Sequence, residues 1–229
     1  MRVWSICALL VLSACGGEAP AEKSPAQDVS ISEELPIMGP ERVILAFGDS
    51  LFAGYNLEQD EGYPEKLEAV LRTRGINARV IDAGVSGDTT AAGLQRLAFV
   101  LDNVSGDIDL AMVELGGNDL LRGIAPDETR ANLEGILAEL QAREIPVLIM
   151  GMRAPPNGGP QFQQAFDGIY PALAEQYSAA LVPFFMEPVY DQPMLMQDDR
   201  IHPTAQGIEA MVAAQVDAIA AALPDDEGE

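Results

Sequence analysis

Short apolar runs alternate with amphipathic stretches over most of this chain, and this alternation limits the possible folds more than any other feature. Five runs are mainly apolar and do not alternate with polar residues, as is typical of buried parallel strands; they cover residues 43–47, 78–81, 108–115, 146–150 and 181–185. The stretches between them place apolar residues at helical spacing. Strands joined by helices need crossover connections, so we expect an α/β fold: a three-layer α/β/α sandwich around a parallel, flavodoxin-like, five-stranded sheet.

The two ends of the chain differ in composition from this alternating region. Residues 1–14 combine a basic start with a short apolar stretch, as a secretory signal peptide does. Residues 15–40 are rich in Ala, Pro, Glu and Ser without periodicity, which predicts a flexible tether. We therefore expect one globular domain at residues 41–223, followed by a solvated acidic tail at residues 224–229.

Charge and cysteine content exclude several classes of function. The chain has 13 Lys and Arg against 36 Asp and Glu, a net charge of −23, which repels phosphate backbones, so we expect no nucleic-acid partner. Its two cysteines are Cys7, inside the leader, and Cys15. Cleavage before Cys15 would leave no internal disulfide. With one histidine and no cluster of ligands, we expect neither a metal nor an organic cofactor.

Polar residues follow the strands of the predicted sheet at the points where they end. Residues 48–50 (Gly-Asp-Ser) come after the first strand, 84–90 after the second and 116–119 (Gly-Gly-Asn-Asp) after the third, while 198–203 precede the last helix. The carboxyl ends of parallel strands share one edge of the sheet, where open α/β folds bind their ligands. We therefore expect these four segments to lie close together.

Their residue types suit nucleophilic attack on an acyl carbonyl. A serine attacks once a base removes its proton, and His202 is the only histidine available to activate Ser50. Asp199, three residues earlier, can accept a hydrogen bond from the ring and fix its tautomer. The alternative for His202 is a purely structural role. For the acidic pair Asp198 and Asp199, the alternative is that their charges only stabilise the N-terminus of the last helix. Asp49 is the sequence neighbour of Ser50, and we expect its carboxylate to brace the loop and not to act in catalysis.

Attack produces an oxyanion that needs hydrogen-bond donors held in place. The candidates are the backbone N–H groups of Ser50 and Gly87 and the side-chain amide of Asn118. For Gly87 and Asn118 the alternative is a role in loop geometry alone.

These four blocks, with their serine, glycine, asparagine and histidine in order, resemble the GDSL or SGNH hydrolase family over about residues 43–221. The longer strings at 113–123 and at 183–187, the latter followed by 196–199, resemble its multifunctional periplasmic thioesterase/lysophospholipase and arylesterase branch. The resemblance implies the SGNH hydrolase fold and a serine ester hydrolase that cleaves carboxylic esters or thioesters of acyl chains through an acyl-enzyme. The family's D-x-x-H spacing favours Asp199 over Asp198 as the triad acid.

Residues 12–15 (Leu-Ser-Ala-Cys) resemble a bacterial lipobox, which implies that Cys15 is lipidated. We therefore expect the protein in the cell envelope, where it binds the membrane only through this anchor. Gly16, directly after Cys15, resembles lipoproteins that are sent to the outer membrane, so the expected location is the periplasmic face of that membrane. The alternative is an ordinary secretory leader.

Residues beside the blocks are candidates for the substrate site: Phe52, Leu120, Leu121, Ile124, and, in the loop after the fourth strand, Ala154 and Pro155. They either line an apolar groove for a small acyl ester or thioester or pack beneath the loops. Two other functions stay open, a carbohydrate O-acetylesterase and a non-catalytic substrate-binding lipoprotein. The oligomeric state is not indicated.

Overall fold

A computed structural model describes residues 39–225, which form one parallel five-stranded sheet between two layers of helices. The strands are β1 (Arg42–Gly48), β2 (Ala78–Gly84), β3 (Leu110–Glu114), β4 (Val147–Met150) and β5 (Ala180–Val182). They lie in the order β2-β1-β3-β4-β5, all parallel. This is the flavodoxin-like order, and the predicted fold class is confirmed.

Seven α-helices connect or flank the strands within the described region: α1 (Tyr63–Thr73), α2 (Thr90–Asn103), α3 (Gly117–Arg122), α4 (Pro126–Ala142), α5 (Pro160–Asp167), α6 (Ile169–Tyr177) and α7 (Ala205–Ala222). Short 3₁₀ turns lie at Pro156–Gly158 and Pro193–Leu195.

Alternate residues of each central strand feed two separate cores. Along β1, Ile44 and Ala46 pack towards α1 and α7, whereas Leu45 and Phe47 pack towards α2, α4 and α6. Because successive strand side chains point to opposite faces, a strand covered on both faces must be apolar at every position. Burial on both faces therefore explains why the central strands read as apolar runs in the sequence.

Several predicted boundaries are wrong by two or three residues. β2 extends to Gly84, beyond the predicted end at 81, because Asp82, an exposed edge residue, interrupts the apolar run without ending the pairing to β1. β5 stops at Val182 because Pro183 has no N–H to continue the ladder. The last helix begins at Ala205, where the Thr204 hydroxyl accepts a hydrogen bond from the N–H of Gly207.

The predicted leader, Cys15, most of the tether and the end of the acidic tail lie outside the described residues. The regular elements run from Arg42 to Ala222, within the predicted domain limits. Between residues 39 and 225, none of the helices is both long and apolar enough to cross a membrane.

The sheet register gathers the strand ends that matter for function. Gly48 pairs with Gly84 on one side and with Glu114 on the other, so β1, β2 and β3 end level with one another. A Cβ at Gly84 would lie 2.4 Å from the N atom of Ala53. The glycine therefore lets the loop after β1 cross directly over the end of β2.

Candidate active site

The loop after β1 holds Ser50 at the edge of the sheet. Ser50 is followed by a turn in which the N–H of Ala53 donates to the carbonyl of Asp49 (3.0 Å) and that of Tyr55 donates to the carbonyl of Ser50 (3.2 Å). Leu51 is buried in the core. The backbone around the serine is thus fixed, which fixes the direction of its hydroxyl.

Ser50, His202 and Asp199 form one hydrogen-bonded chain. Ser50 Oγ lies 2.8 Å from His202 Nε2, and His202 Nδ1 lies 2.7 Å from Asp199 Oδ2. The other carboxylate oxygen of Asp199 accepts the backbone N–H groups of Ile201 (2.9 Å) and His202 (3.0 Å). With Nδ1 donating to Asp199, the Nε2 atom is left as an acceptor for the serine proton.

The environment of Asp199 keeps it ionised. Partial burial acts to raise its pKa, but the hydrogen bonds from His202 and Ile201 together outweigh this effect and lower the pKa of Asp199 to about 2. The Asp199 carboxylate is therefore ionised at neutral pH, so a negative charge faces Nδ1 of His202.

Two backbone N–H groups beside the serine are free to bind an anion. Within residues 39–225 neither the N–H of Ser50 nor that of Gly87 has a hydrogen-bond partner. Gly87 adopts φ +87°, a conformation that favours glycine, and its carbonyl accepts Nη2 of Arg122 at 2.7 Å. That bond holds the 84–90 loop against α3.

Asn118 completes this set of donors from the first turn of α3. Its Nδ2 donates to Asp49 Oδ2 at 2.9 Å, which uses one of the two amide hydrogens. Gly116, just before the helix, has φ +116°, and a Cβ there would lie 2.2 Å from the Tyr170 hydroxyl. The paired glycines of the Gly-Gly-Asn-Asp block thus allow the close turn that aims Asn118.

Two buried carboxyl groups lie beneath these donors. Asp49 accepts the N–H of Leu51 (3.1 Å) as well as the amide of Asn118, in line with its predicted bracing role. Glu114, at the end of β3, accepts the N–H of Asp49 at 3.2 Å. Glu114 was not predicted as a site residue, because a single acidic residue inside an apolar run carries no signal of its own.

Tyr55 and Gln197 also contact the histidine and were not predicted. The Tyr55 ring centroid lies 4.4 Å from that of the imidazole. Gln197 donates its N–H to the carbonyl of His202 at 2.7 Å. Gln197 lies in one of the strings quoted above and Tyr55 follows the Gly-Asp-Ser block, but their contacts depend on how two loops meet.

A cleft of about 480 Å³ opens beside Ser50 and His202, and most of its wall is apolar. Its side chains include Tyr55, Leu120, Leu121, Met152, Pro155, Phe184, Met186, Tyr190, Met196 and Ile201. Arg153 and Arg200 stand at its edge. Leu120, Leu121 and Pro155 therefore occupy the place predicted for them.

The other three predicted substrate residues do not line this cleft. Phe52 is 0% exposed and packs against Tyr63 and Phe185, because the turn after Ser50 directs its ring into the core. Ala154 is buried and faces a neighbouring pocket beside Asp167. Ile124 lies beyond the end of α3, outside the cleft.

No group of three or more His, Cys, Asp and Glu side chains arranged to hold a metal ion occurs in the described part of the chain. The groups that meet at the cleft are a hydroxyl, an imidazole, a carboxylate and three N–H donors. Such a set can activate a nucleophile and stabilise an oxyanion.

The chain is similar to known proteins in sequence and in structure. The sequence model of the GDSL-like Lipase/Acylhydrolase family matches residues 46–210. The crystal structure of AlinE4, a SGNH-hydrolase family esterase, is 66% identical with a TM-score of 0.70, covering 82% of this chain and 99% of that one. The thioesterase 1/protease 1/lysophospholipase L1 of Escherichia coli is 41% identical over 70% of this chain and 74% of its own length. The arylesterase of Vibrio mimicus is 40% identical over 70% of this chain and 79% of its own length.

Proposed function

This chain belongs to the GDSL-like lipase/acylhydrolase family and is an ester hydrolase, and on that premise we propose that Ser50 is its nucleophile and that its substrates are esters or thioesters of acyl chains. The family resemblance predicted from the four sequence blocks is confirmed, as is the likeness to thioesterase/lysophospholipase and arylesterase relatives.

The hydrogen-bonded chain of Ser50, His202 and Asp199 carries the proposal. As Ser50 Oγ forms a bond to the acyl carbon, its proton passes to His202 Nε2, 2.8 Å away, and the carbonyl π electrons move to the oxygen. The imidazolium is stabilised by Asp199, which stays negative and takes no proton.

The oxyanion that forms is received by the free N–H groups of Ser50 and Gly87 and by the remaining amide hydrogen of Asn118. These donors are fixed before the substrate arrives, so little reorganisation is needed when the negative charge develops. Collapse of the tetrahedral intermediate breaks the bond to the alcohol or thiol, which leaves with the proton from His202. Water, activated by the same imidazole, then adds to the acyl-serine and releases the acid.

The wall of the cleft supports an acyl substrate over a sugar. Phe184, Met186 and Met196 present apolar surface next to the nucleophile, where a hydrocarbon chain gains free energy by leaving water. Methionine side chains are flexible and adapt to chains of different shape, which supports broad specificity. Relatives named as thioesterase, lysophospholipase and arylesterase agree with substrates of this kind.

We also propose that the protein is exported and anchored by lipid at Cys15, with its catalytic domain at the periplasmic face of the outer membrane. The short apolar leader and the lipobox-like residues 12–15 support this proposal.

The test is hydrolysis of p-nitrophenyl esters of increasing chain length by the purified protein and by Ser50→Ala. We expect Ser50→Ala to lose more than about 10⁴-fold in kcat while its circular dichroism stays unchanged. For the unaltered protein, kcat/KM should rise by up to roughly tenfold from acetate to butyrate, as two more methylenes enter the cleft.

A fluorophosphonate probe supplies the control, since only an activated serine reacts with it. Mass spectrometry should find the label on Ser50 in the unaltered protein and, equally, in Ser105→Ala, which changes an exposed serine at the far end of α2. Turnover that survives in Ser50→Ala would remove Ser50 from its role.

A further inference from the structure

Asp49 and Glu114 place two carboxyl groups in contact beneath the nucleophile. Asp49 is 2% exposed and Glu114 is 0% exposed. Gly48 pairs with Glu114 across the sheet, and a Cβ at Gly48 would lie 2.8 Å from Glu114 Oε2. A glycine at the end of β1 thus leaves the space in which the Glu114 side chain lies against Asp49.

The hydrogen bonds of the pair are unequal. Asp49 accepts two N–H donors, from Leu51 at 3.1 Å and from Asn118 at 2.9 Å. Glu114 accepts one, the N–H of Asp49, and its Oε1 atom accepts no N–H or O–H from the described residues. Neither carboxyl forms an ion pair within residues 39–225; Arg96, the nearby cation on α2, is bound to Asp88 and to the Gly48 carbonyl.

Two adjacent carboxyl groups in such a place cannot both be ionised, because each charge loses its hydration and repels the other. We propose that Glu114 keeps a proton at working pH and donates it to Asp49, so that the Asp49 carboxylate holds Asn118 in position for catalysis. Glu114 is then a positioning residue that acts through Asp49 and Asn118. This inference rests on the proposed role of Asn118 at the oxyanion.

The electrostatics agree with this placement of the proton. Burial, and then the charge of Asp49, raises the pKa of Glu114 well above its usual range. Burial raises the pKa of Asp49 as well, but hydrogen bonds from Leu51, Glu114 and Asn118 act in the opposite direction. The carboxyl with more donors is the better anion, so the proton belongs on Glu114.

The other ionisable groups around the pair leave this arrangement intact. Tyr170, on α6, donates its hydroxyl to the Leu115 carbonyl, and burial keeps it neutral by raising its pKa well above the ordinary value. Asp119, on α3, accepts hydrogen bonds from Thr90 and Thr129. The charge of His202, when protonated, favours ionised Asp49.

Alkaline pH should disrupt this arrangement. When Glu114 loses its proton, two buried negative charges face each other and the donor to Asp49 disappears. This repulsion displaces the Asp49 carboxylate, so Asn118 loses its fixed position and the oxyanion loses one of its three donors. Activity should therefore fall at high pH because Glu114 loses its proton.

The decisive variant is Glu114→Gln, which keeps the shape, donates an N–H to Asp49 and cannot ionise. We expect its kcat at neutral pH to stay within about threefold of the unaltered protein, with the alkaline fall of kcat absent. Glu114→Ala, which has no donor, should lower kcat by roughly tenfold or more with little change in KM. A folded Glu114→Gln that is inactive at neutral pH, or that keeps the alkaline fall, would overturn the proposal.

A second measurement needs no variant and no activity. Infrared spectra of the protein at neutral pH should contain the carbonyl band of a protonated carboxylic acid. That band should shift when glutamate is labelled with ¹³C at its side-chain carboxyl and should not shift when aspartate is labelled. An absent band, or a shift with labelled aspartate, contradicts the proposal even if Glu114→Gln fails to fold. Failure of the proposed function alone, with Ser50 or Asn118 not needed for turnover, would leave the band in place.

Discussion

Asn118 shows how one residue is held ready for two hydrogen bonds. Its amide donates one hydrogen to Asp49 Oδ2 at 2.9 Å, and the backbone of α3 fixes its Cα. A free asparagine side chain would rotate, and its donor would have to be reoriented in the transition state. Anchored at one hydrogen, it presents the other in a fixed direction, and this preorganisation is what makes an oxyanion donor effective.

Replacing Asn118 by alanine should therefore lower kcat by about 10²-fold, with a much smaller change in KM, since the lost bond forms mainly in the transition state. Steady-state hydrolysis of p-nitrophenyl butyrate measures both constants. Asn103→Ala is the matched control: among residues 39–225, the side chain of this exposed asparagine bonds to the Phe99 carbonyl alone, at the end of α2, and the variant should keep full activity. Equal losses in the two variants, or none in Asn118→Ala, would contradict the assigned role.

Residues were predictable where a sequence block carries them and not where only folding brings them near. Ser50, His202 and Asn118 stand in short polar blocks at strand ends, and such blocks can be recognised in one dimension. Glu114 and Phe52 could not be placed in this way. Glu114 is one acidic residue in an otherwise apolar run, which does not mark it as functional. The direction of the Phe52 side chain depends on the turn that follows Ser50.

At the scale of elements, the site depends on contact between two loops that are far apart in the sequence. Gln197, in the loop before α7, donates its side-chain amide to the carbonyl of Tyr55 at 2.8 Å and to that of Pro203 at 2.9 Å. Tyr55 belongs to the loop that carries Ser50, and Pro203 follows His202. One side chain thus joins the loop that carries Ser50 to the loop that carries His202.

Gln197→Ala should let these loops separate slightly and lengthen the contact between Ser50 and His202. We expect kcat to fall by roughly tenfold, because small displacements of reacting groups are costly, and stability to fall by about 1 kcal/mol per lost hydrogen bond. Enzyme kinetics and urea unfolding measure the two effects.

Gln192→Ala is the control for this change, since in the described part of the chain the Gln192 side chain bonds within its own turn alone, to the Pro188 carbonyl. Gln197→Glu keeps the size but lacks the donors, so it should be as impaired as the alanine variant. A fully active Gln197→Ala would show that the loops hold their places without this link.

The elements themselves were predictable from periodicity, whereas their ends and the loop contacts were not. Apolar runs identify the central strands β1, β3 and β4 most clearly, because these strands are covered on both faces. The end of a strand is set by a single local feature, such as the missing N–H of Pro183, or by pairing that continues past a polar residue, as at Asp82. Contacts such as that between Gln197 and Tyr55 arise only in the folded chain.

At the scale of the whole molecule, the dominant feature is the excess of acid. A net charge of −23 makes the exposed carboxylates repel one another, and this repulsion acts against the compact state. The described ion pairs offset it locally; the pair of Arg96 with Asp88, which is largely buried, is an example. Exposed pairs contribute little, so repulsion should outweigh attraction at the surface.

Salt should therefore stabilise this protein. Raising NaCl from about 0.01 M to about 1 M shortens the range of exposed charges from roughly 30 Å to roughly 3 Å. We expect Tm to rise by about 2–4 °C, which corresponds to about 1 kcal/mol for a domain of this size. Scanning calorimetry across the salt series measures this change in Tm.

A combined variant, Asp60→Asn, Asp107→Asn and Glu175→Gln, removes three exposed charges. Its Tm should be higher in low salt and should respond less to added NaCl. A Tm that falls with salt would mean that the ion pairs, and not the excess of acid, govern the stability of the surface.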